Sequence, residues 1–267
     1  MINFQSHKPD IRLTPFIKSY FWGKDDNAPL VQRIVPNGEM GLCIYRGNYV
    51  CYSDVGKVTG CLSGQHIHYQ DIMSDGKIEI VGVHFTVLGA HLFFQLPMAE
   101  LYGQTVRIND LNDLGLTELE EQIMLASDSN TYWQLFDSFF LRRIAESQID
   151  ILNIKRLQRA IAYGQQHTSN TRIIDVATAS CLSQRHFTRI FTNVVGMPPK
   201  DYLRLQRYHK ALHDLKVGGC TATEIAWNNG YYDFSHLSAD FKLITGLSPK
   251  QLLKDSANDD DAVGWRL

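Results

Sequence analysis

Five polar side chains between residues 184 and 192 have the types and spacing to touch nucleic acid. Gln184, Arg185, Thr188, Arg189 and Thr192 fall on one side of a helix, and Phe187, Ile190, Phe191 and Val194 form an apolar stripe on the other. Long or small polar side chains of this kind bond phosphates and base edges, and arginine can grip guanine through two parallel hydrogen bonds. Ser183, just before them, has the side chain a helix N-cap needs. A second, looser set opens after Asp233 with Phe234, Ser235, His236, Ser238 and Lys242. It contains no arginine, so the first set is expected to carry most base discrimination and the second mainly backbone contacts, while the apolar face of Phe234 suits a thymine methyl group.

Imidazoles suggest a different chemistry. His66 and His68 alternate in a stretch read as a strand, which puts both on one face, with Asp71 and His84 nearby in sequence. Imidazoles with a carboxylate can hold a transition metal, which makes His66, His68 and His84 the weak candidate ligands. The competing reading, an H-x-H with no metal, is preferred, and no cofactor is expected. The chain has no G-x-S-x-G, Walker loop, G-x-G-x-x-G or H-E-x-x-H, so no catalytic residues are assigned and an enzyme is not expected.

The elements that must position these side chains differ between the two ends of the chain. The 267 residues carry a net charge of −2, distributed unevenly. Residues 1–152 hold 11 Lys+Arg against 18 Asp+Glu, residues 153–254 hold 14 against 6, and the tail 255–267 holds 1 against 4. A basic segment beside an acidic one fits a separate nucleic-acid module, because phosphate neutralisation supplies most non-specific affinity. The start MINFQSHKPD lacks the basic and apolar runs of a signal peptide, and no stretch is apolar enough to span a bilayer, so a cytoplasmic protein is expected. Five widely spaced cysteines without a C-x-x-C pair read as buried free thiols.

Up to Phe85 the pattern is of short strands, among them Met40–Tyr45, Tyr49–Tyr52, Lys57–Leu62, His66–Tyr69 and Ile78–Phe85, separated by turn signals such as Pro36-Asn37-Gly38. This predicts an antiparallel barrel or sandwich. Leu114–Ala126 and Tyr132–Ile144 read as helices, and the number of apolar residues there (Leu119, Ile123, Phe136, Phe139, Phe140) suits either self-association or a cover for the open side of a barrel. Ser147–Asn153 is a junction, and the rest is expected to be helical.

An internal repeat organises that helical part. Val176-Ala177 matches Ile225-Ala226, and Phe191, Gly196, Pro199 and Lys200 match Phe241, Gly246, Pro249 and Lys250, with one residue inserted near Tyr232. Each copy reads as helix, tight turn, helix. Thr221 and Glu224 have capping-box spacing, Gly230 stops the short helix where the first copy has Cys181, and Gly196 followed by Pro199 ends one helix and starts the next. That next helix, about Lys200–Lys216, is expected to bury Tyr202, Leu205, Leu212 and Leu215.

Through Ala177, Leu182-Ser183, Arg185-His186-Phe187, Arg189, Phe191, Gly196 and Pro199-Lys200, and again through Ile225-Ala226, Gly230-Tyr231, Asp233, Ser235-His236, Phe241-Lys242, Gly246 and Ser248-Pro249, the chain resembles the AraC/XylS family of bacterial transcription regulators. The resemblance covers roughly Leu157–Leu253. It implies two recognition helices joined by a rigid helix and set into adjacent major-groove segments of double-stranded DNA. Two departures stand out: Ala239 followed by Asp240 where an arginine is usual, and Cys181 in place of a usual glycine.

More faintly, Val35-Pro36-Asn37-Gly38, Gly82-Val83-His84-Phe85 and Leu96-Pro97 resemble the family's sensor halves, which implies a cupin-like barrel followed by helices. The glutamate of the cupin metal motif is missing. The expected architecture is α+β: a β-rich sensor or interaction domain over 1–146 with helices at about 114–146, a DNA-binding domain over 153–254 with helix-turn-helix units at about 172–197 and 221–247, and an acidic tail over 255–267. The expected function is sequence-specific DNA binding in transcription regulation, with RNA polymerase, a small-molecule effector and a second copy of the chain as further partners. A metal-dependent cupin-type enzyme fused to a DNA-binding module is the alternative. No residues are assigned to effector binding.

Overall fold

The computed structural model describes residues 3–26, 30–94, 96–147, 150–167, 169 and 171–256. The chain divides into two compact units. The first holds the sheets and the early helices, and the second holds the helices from Asp150 onward with the short segments Arg33–Gly38 and His66–Tyr69. No helix among the described residues is long and apolar enough to cross a membrane.

In the first unit the strands are β1 (Asn3–His7), β2 (Ile17–Asp25), β3 (Leu30–Ile34), β4 (Gly41–Gly47), β5 (Val50–Tyr52), β6 (Gly56–Val58), β7 (Gly60–Ser63), β8 (Gln70–Ser74), β9 (Ile78–Phe85) and β10 (Thr105–Arg107). They pair as two sheets, of order β1-β2-β9-β4-β7-β10 and β3-β8-β5-β6. The expected barrel is therefore seen as two sheets rather than one closed cylinder. The strand read over Lys57–Leu62 is two strands that part at Thr59, and His66–Tyr69 is not a strand. The one-face argument for His66 and His68 falls with it, because side-chain alternation holds only in extended, paired backbone.

The helices α1 (Ala90–Phe93), α2 (Leu114–Leu125) and α3 (Ser129–Glu146) cover the larger sheet. Asp113 and Asp128 cap α2 and α3 by accepting from the backbone N–H of Leu116 and Thr131. Leu42, Ile44, Leu62, Val81, Val83 and Phe85 form one core with Leu119, Ile123, Phe136, Phe139 and Phe140. Those helical side chains are buried and serve as the sheet's cover.

The alternate strand positions are buried as well. Phe21 stacks on His84 with ring centroids 4.4 Å apart, and the Tyr45 and Tyr52 hydroxyls, 2.6 Å apart, link the two sheets. Phe21 fits there because its neighbour across the ladder is Gly82, where a Cβ would lie 2.3 Å from the Phe21 ring and 2.5 Å from the Leu42 carbonyl oxygen. Cys43 faces Cys61 across the β4–β7 ladder, and the Cys61 thiol together with burial pushes the Cys43 thiol well above its ordinary range. Only these two cysteines are fully buried; Cys51 is half-buried, and Cys181 and Cys220 are exposed, contrary to the uniform burial expected.

A polar network ties helices to sheet. Glu79 of β9 accepts from Trp22 Nε1 at 2.7 Å and from Arg46 at 2.8 Å, and Arg46 also bonds the Tyr132 hydroxyl. The second arm of Arg46 donates to the Ala126 carbonyl at 2.7 Å, satisfying one of the open acceptors at the end of α2.

The second unit is helical: α4 (Ile151–Gln166), α5 (Ile173–Ala179), α6 (Gln184–Val195), α7 (Pro199–Val217), α8 (Ala222–Asn228), α9 (Phe234–Thr245) and α10 (Pro249–Ser256). α7 buries Tyr202, Leu205, Tyr208 and Ala211, whereas Leu212 and Leu215, expected to be buried, are half-buried. The reason is phase: the stripe runs at spacings of three through residue 211, turning Leu212 to its flank. Residues 148 and 149 of the expected junction and 257–267 of the acidic tail lie outside the described residues.

Burial, helped by the nearby Lys18 charge, pushes His84 from 6.5 to about 4. Between those values the unfolded chain binds a proton that the folded chain refuses, so stability is full above the upper value and falls as pH drops toward the lower one. The loss should reach about 3 kcal/mol. Urea titrations at about pH 7 and about pH 4.5 should show His84→Gln with a flatter profile than the parent; an identical loss in both proteins would assign the proton to another group.

Candidate nucleic-acid interface

Two helix pairs of the second unit close in the same way. After α5, Cys181 N donates to the Thr178 carbonyl at 2.9 Å and Leu182 N to the Ala177 carbonyl at 3.0 Å; after α8, Gly230 N donates to Trp227 at 3.0 Å and Tyr231 N to Ala226 at 2.9 Å. This turn needs a left-handed residue, and it has Gly230 at φ +72° in one copy and Cys181 at φ +56° in the other. Gly230 is required for space as well, since a Cβ there would stand 1.6 Å from the Ser169 carbonyl oxygen. Cys181 carries the strain of a side chain in that region, about 1 kcal/mol.

Each second helix is N-capped as expected. Ser183 accepts from His186 N at 3.4 Å, and Asp233 from His236 N at 2.7 Å. Matching Leu182 to Tyr231 by their hydrogen bonds and Ser183 to Asp233 by their caps leaves Tyr232 as the one extra residue in the second turn.

In α6, Phe187, Phe191, Val194 and Val195 point inward, and Ile190 is half-buried. Gln184, Arg185 and Arg189 are exposed, with His186 and Thr188 half-buried beside them. Arg189 Nη2 lies 3.5 Å from His186 Nδ1, and the Thr192 hydroxyl donates to the Thr188 carbonyl at 2.8 Å, so Thr192 is used within the helix. In α9 the exposed residues are Ser235, His236, Ala239 and Lys242, and Phe234 and Ser238 are half-buried. His236 also supports the turn: its Nδ1 accepts from Tyr232 N at 3.4 Å, and its ring meets Tyr231 edge-on. The residues singled out in each copy thus sit on one helix and its cap, away from that helix's buried stripe.

Asp240, next to Ala239, is 1% exposed and belongs to the inward stripe of α9. Arg204 of α7 donates to its Oδ1 from Nε at 2.8 Å and from Nη2 at 2.6 Å, and Arg207 donates to Oδ2 at 3.1 Å. Arg207 also lies over the Tyr231 ring, 4.5 Å from its centroid. Removing the arginines would leave a buried carboxylate without these partners, which is costly. The carboxylate of this departure from the family pattern is turned to the protein and paired there. Its inward phase was legible from Leu237, Phe241 and Ile244; its partners, on another helix, were not. Trp227 and Tyr232, both exposed, were also missed, because neither falls within α6 or α9.

The three histidines considered as metal ligands are not assembled on one strand face. His84 lies in β9 of the first unit, and His66 and His68 lie in the irregular segment grouped with the second. Among the described residues no group of three or more His, Cys, Asp or Glu is placed to hold a metal ion.

Residues 176–255 match the family model described as a helix-turn-helix domain, and residues 5–107 match a domain of unknown function (DUF6597). An uncharacterized HTH-type transcriptional regulator of Haemophilus influenzae is 28% identical over 159 residues, which cover 59% of this chain and 51% of that protein. The match therefore spans about half the length of this relative. The invasion protein InvF of Salmonella typhimurium is 26% identical over 152 residues, covering 53% of this chain and 70% of its own. Among solved structures, ToxT from Vibrio cholerae aligns over 87% of this chain and 98% of its own with 14% identity and a TM-score of 0.47.

The strained turn yields a direct test. Cys181 is exposed, so replacing it removes no core packing. Cys181→Gly should raise stability by about 0.5–1 kcal/mol, the left-handed strain less the extra freedom glycine gives the unfolded chain. Chemical denaturation would measure it, and an unchanged or lower midpoint would contradict it.

Proposed function

We propose, from the helix-turn-helix domain that residues 176–255 match, that the chain is a sequence-specific DNA-binding transcription regulator of the AraC type. One observation carries the reading: two N-capped helices, α6 and α9, each expose a polar face on a segment with 14 basic against 6 acidic residues. α7 joins them and is ion-paired to α9 through Asp240, which supports two reading heads held at a set spacing. Dimeric helix-turn-helix proteins reach two half-sites about one helical turn apart; here one chain supplies both heads.

In this reading residues 153–254 bind DNA, with units at about 172–197 and 221–247. Ser183, Gln184, Arg185, His186, Thr188 and Arg189 serve the first head, and Phe234, Ser235, His236, Ser238 and Lys242 the second. Residues 1–146 act as a non-enzymatic, cupin-like sensor or interaction domain. A small-molecule effector, RNA polymerase and a second copy of the chain are the further partners, in the cytoplasm. Leu114 and Leu125, strongly exposed on α2, support a protein contact there in place of the buried residues first considered. Control by an effector requires that it bind two states of the protein with different affinity.

Selection of preferred duplexes from random DNA, followed by titration in rising salt, tests the reading. Affinity should fall steeply with salt as phosphate contacts release counterions. Arg189→Ala should weaken the selected site about tenfold or more while barely affecting random DNA, and Lys242→Ala should weaken both alike. A folded chain that binds no duplex at low salt would end the proposal.

A further inference from the structure

The extra residue of the second turn is the most exposed large hydrophobic side chain of the second unit among the described residues: Tyr232, at 86%. Its backbone is fully engaged. Tyr232 N donates to His236 Nδ1, and its carbonyl accepts from Trp227 Nε1 at 3.1 Å. That last bond fixes the indole edge of Trp227, itself 64% exposed, beside the turn. The Trp227 indole is thus held beside the turn, and the Tyr232 ring stands in the open just before α9. The first copy has nothing comparable: Thr178 stands at the position of Trp227, and the turn lacks a residue where Tyr232 stands.

Neighbouring exposed aromatic groups offer apolar area that a partner can cover. The place indicates what does. In a helix-turn-helix, the amino end of the second helix meets base edges while the first helix crosses the sugar-phosphate backbone. Tyr232 precedes the N-cap of α9, and Trp227 lies on α8, so the pair continues the proposed reading surface. That surface is chemically different from its counterpart on α6. It offers Ser235, Ala239 and the half-buried Phe234, with no arginine to grip guanine. The distinctive apolar group in the major groove is the 5-methyl of thymine, which aromatic and alanine side chains can cover.

We propose that the second helix-turn-helix reads thymine methyl groups by apolar contact, through Tyr232 and Phe234, with Trp227 packed on the adjoining deoxyribose backbone. The proposal rests on the DNA-binding function above and assigns its second half-site a base preference. It also explains how a head without arginine discriminates sequence.

The test uses the full chain and the duplex it selects. Each thymine of the second half-site is replaced in turn by deoxyuridine, which removes the methyl and keeps every hydrogen-bonding group. At one or more positions affinity should fall about three- to fivefold, as expected for an uncovered methyl. Tyr232→Ser should bind the thymine duplex about three- to tenfold more weakly and lose the deoxyuridine effect at the thymine it covers, because there the two changes remove one contact. Its melting temperature should match the parent's, since the turn uses only the Tyr232 backbone. If every deoxyuridine duplex binds like the parent duplex, or Tyr232→Ser keeps the full discrimination, the proposal is wrong. The same holds if Tyr232→Ser binds DNA normally and loses only activation of RNA polymerase, which would make the aromatic pair a protein contact. A chain that binds no DNA removes the premise itself, a result distinct from binding that ignores the methyl groups.

Discussion

A buried carboxylate holds α9 in place. Asp240 has almost no access to water, and Arg204 and Arg207 supply it with three hydrogen bonds from α7. An ion pair of this sort contributes little net stability over well-packed apolar groups, but it is costly to break. Its value is directional. Bonds to both carboxylate oxygens from two successive turns of α7 set the rotation of α9 about its axis, and with it which residues of α9 face outward. Tyr231, under the Arg207 guanidinium, extends the same cluster to the turn that introduces α9.

The first unit applies a similar rule to a sheet. The middle strands of its larger sheet, β4 and β9, are buried on both faces for most of their length, while Phe4–His7 of β1 at the edge are exposed. The helix-facing side is apolar and packs by contact area alone. The opposite side carries His84, Cys43, Cys61 and Tyr45, and their polar atoms are matched within the protein, as with the Tyr45–Tyr52 hydroxyl pair. Burial then decides ionisation: the imidazole stays neutral, and the Cys43 thiol and the Tyr45 phenol keep their protons. The Arg46–Glu79 pair fastens the cover by binding the open carbonyl end of α2.

The repeat in the second unit shows how two copies of one motif diverge without losing its geometry. The turn hydrogen bonds, the left-handed residue and the N-cap are kept, because each answers a backbone requirement that no distant contact can meet. What changed is side-chain chemistry on the outward face: arginines on α6, and small or aromatic groups around α9. Even the inserted Tyr232 is accommodated between the turn and the cap, leaving both intact.

The sequence by itself determined what depends on neighbours a few residues away. The caps at Ser183, Asp233 and Thr221, the stops at Gly196 and Gly230, and the inward phase of Phe187, Phe191, Leu237 and Phe241 all follow from helix periodicity and local hydrogen bonds. Two copies of one pattern made those local signals unmistakable. Tertiary structure decided the rest, because it joins residues the pattern cannot relate. The partners of Asp240 lie 33 and 36 residues away on another helix. His66 and His68 alternate like a strand, yet strand geometry requires a paired neighbour, and their segment is not paired as one. Phe136, Phe139 and Phe140 read equally well as an interface or as a cover, and only the sheet beneath them made them a cover. Exposure of Trp227 and Tyr232 was likewise invisible in sequence, since an aromatic residue is apolar whether it ends in a core or on a surface.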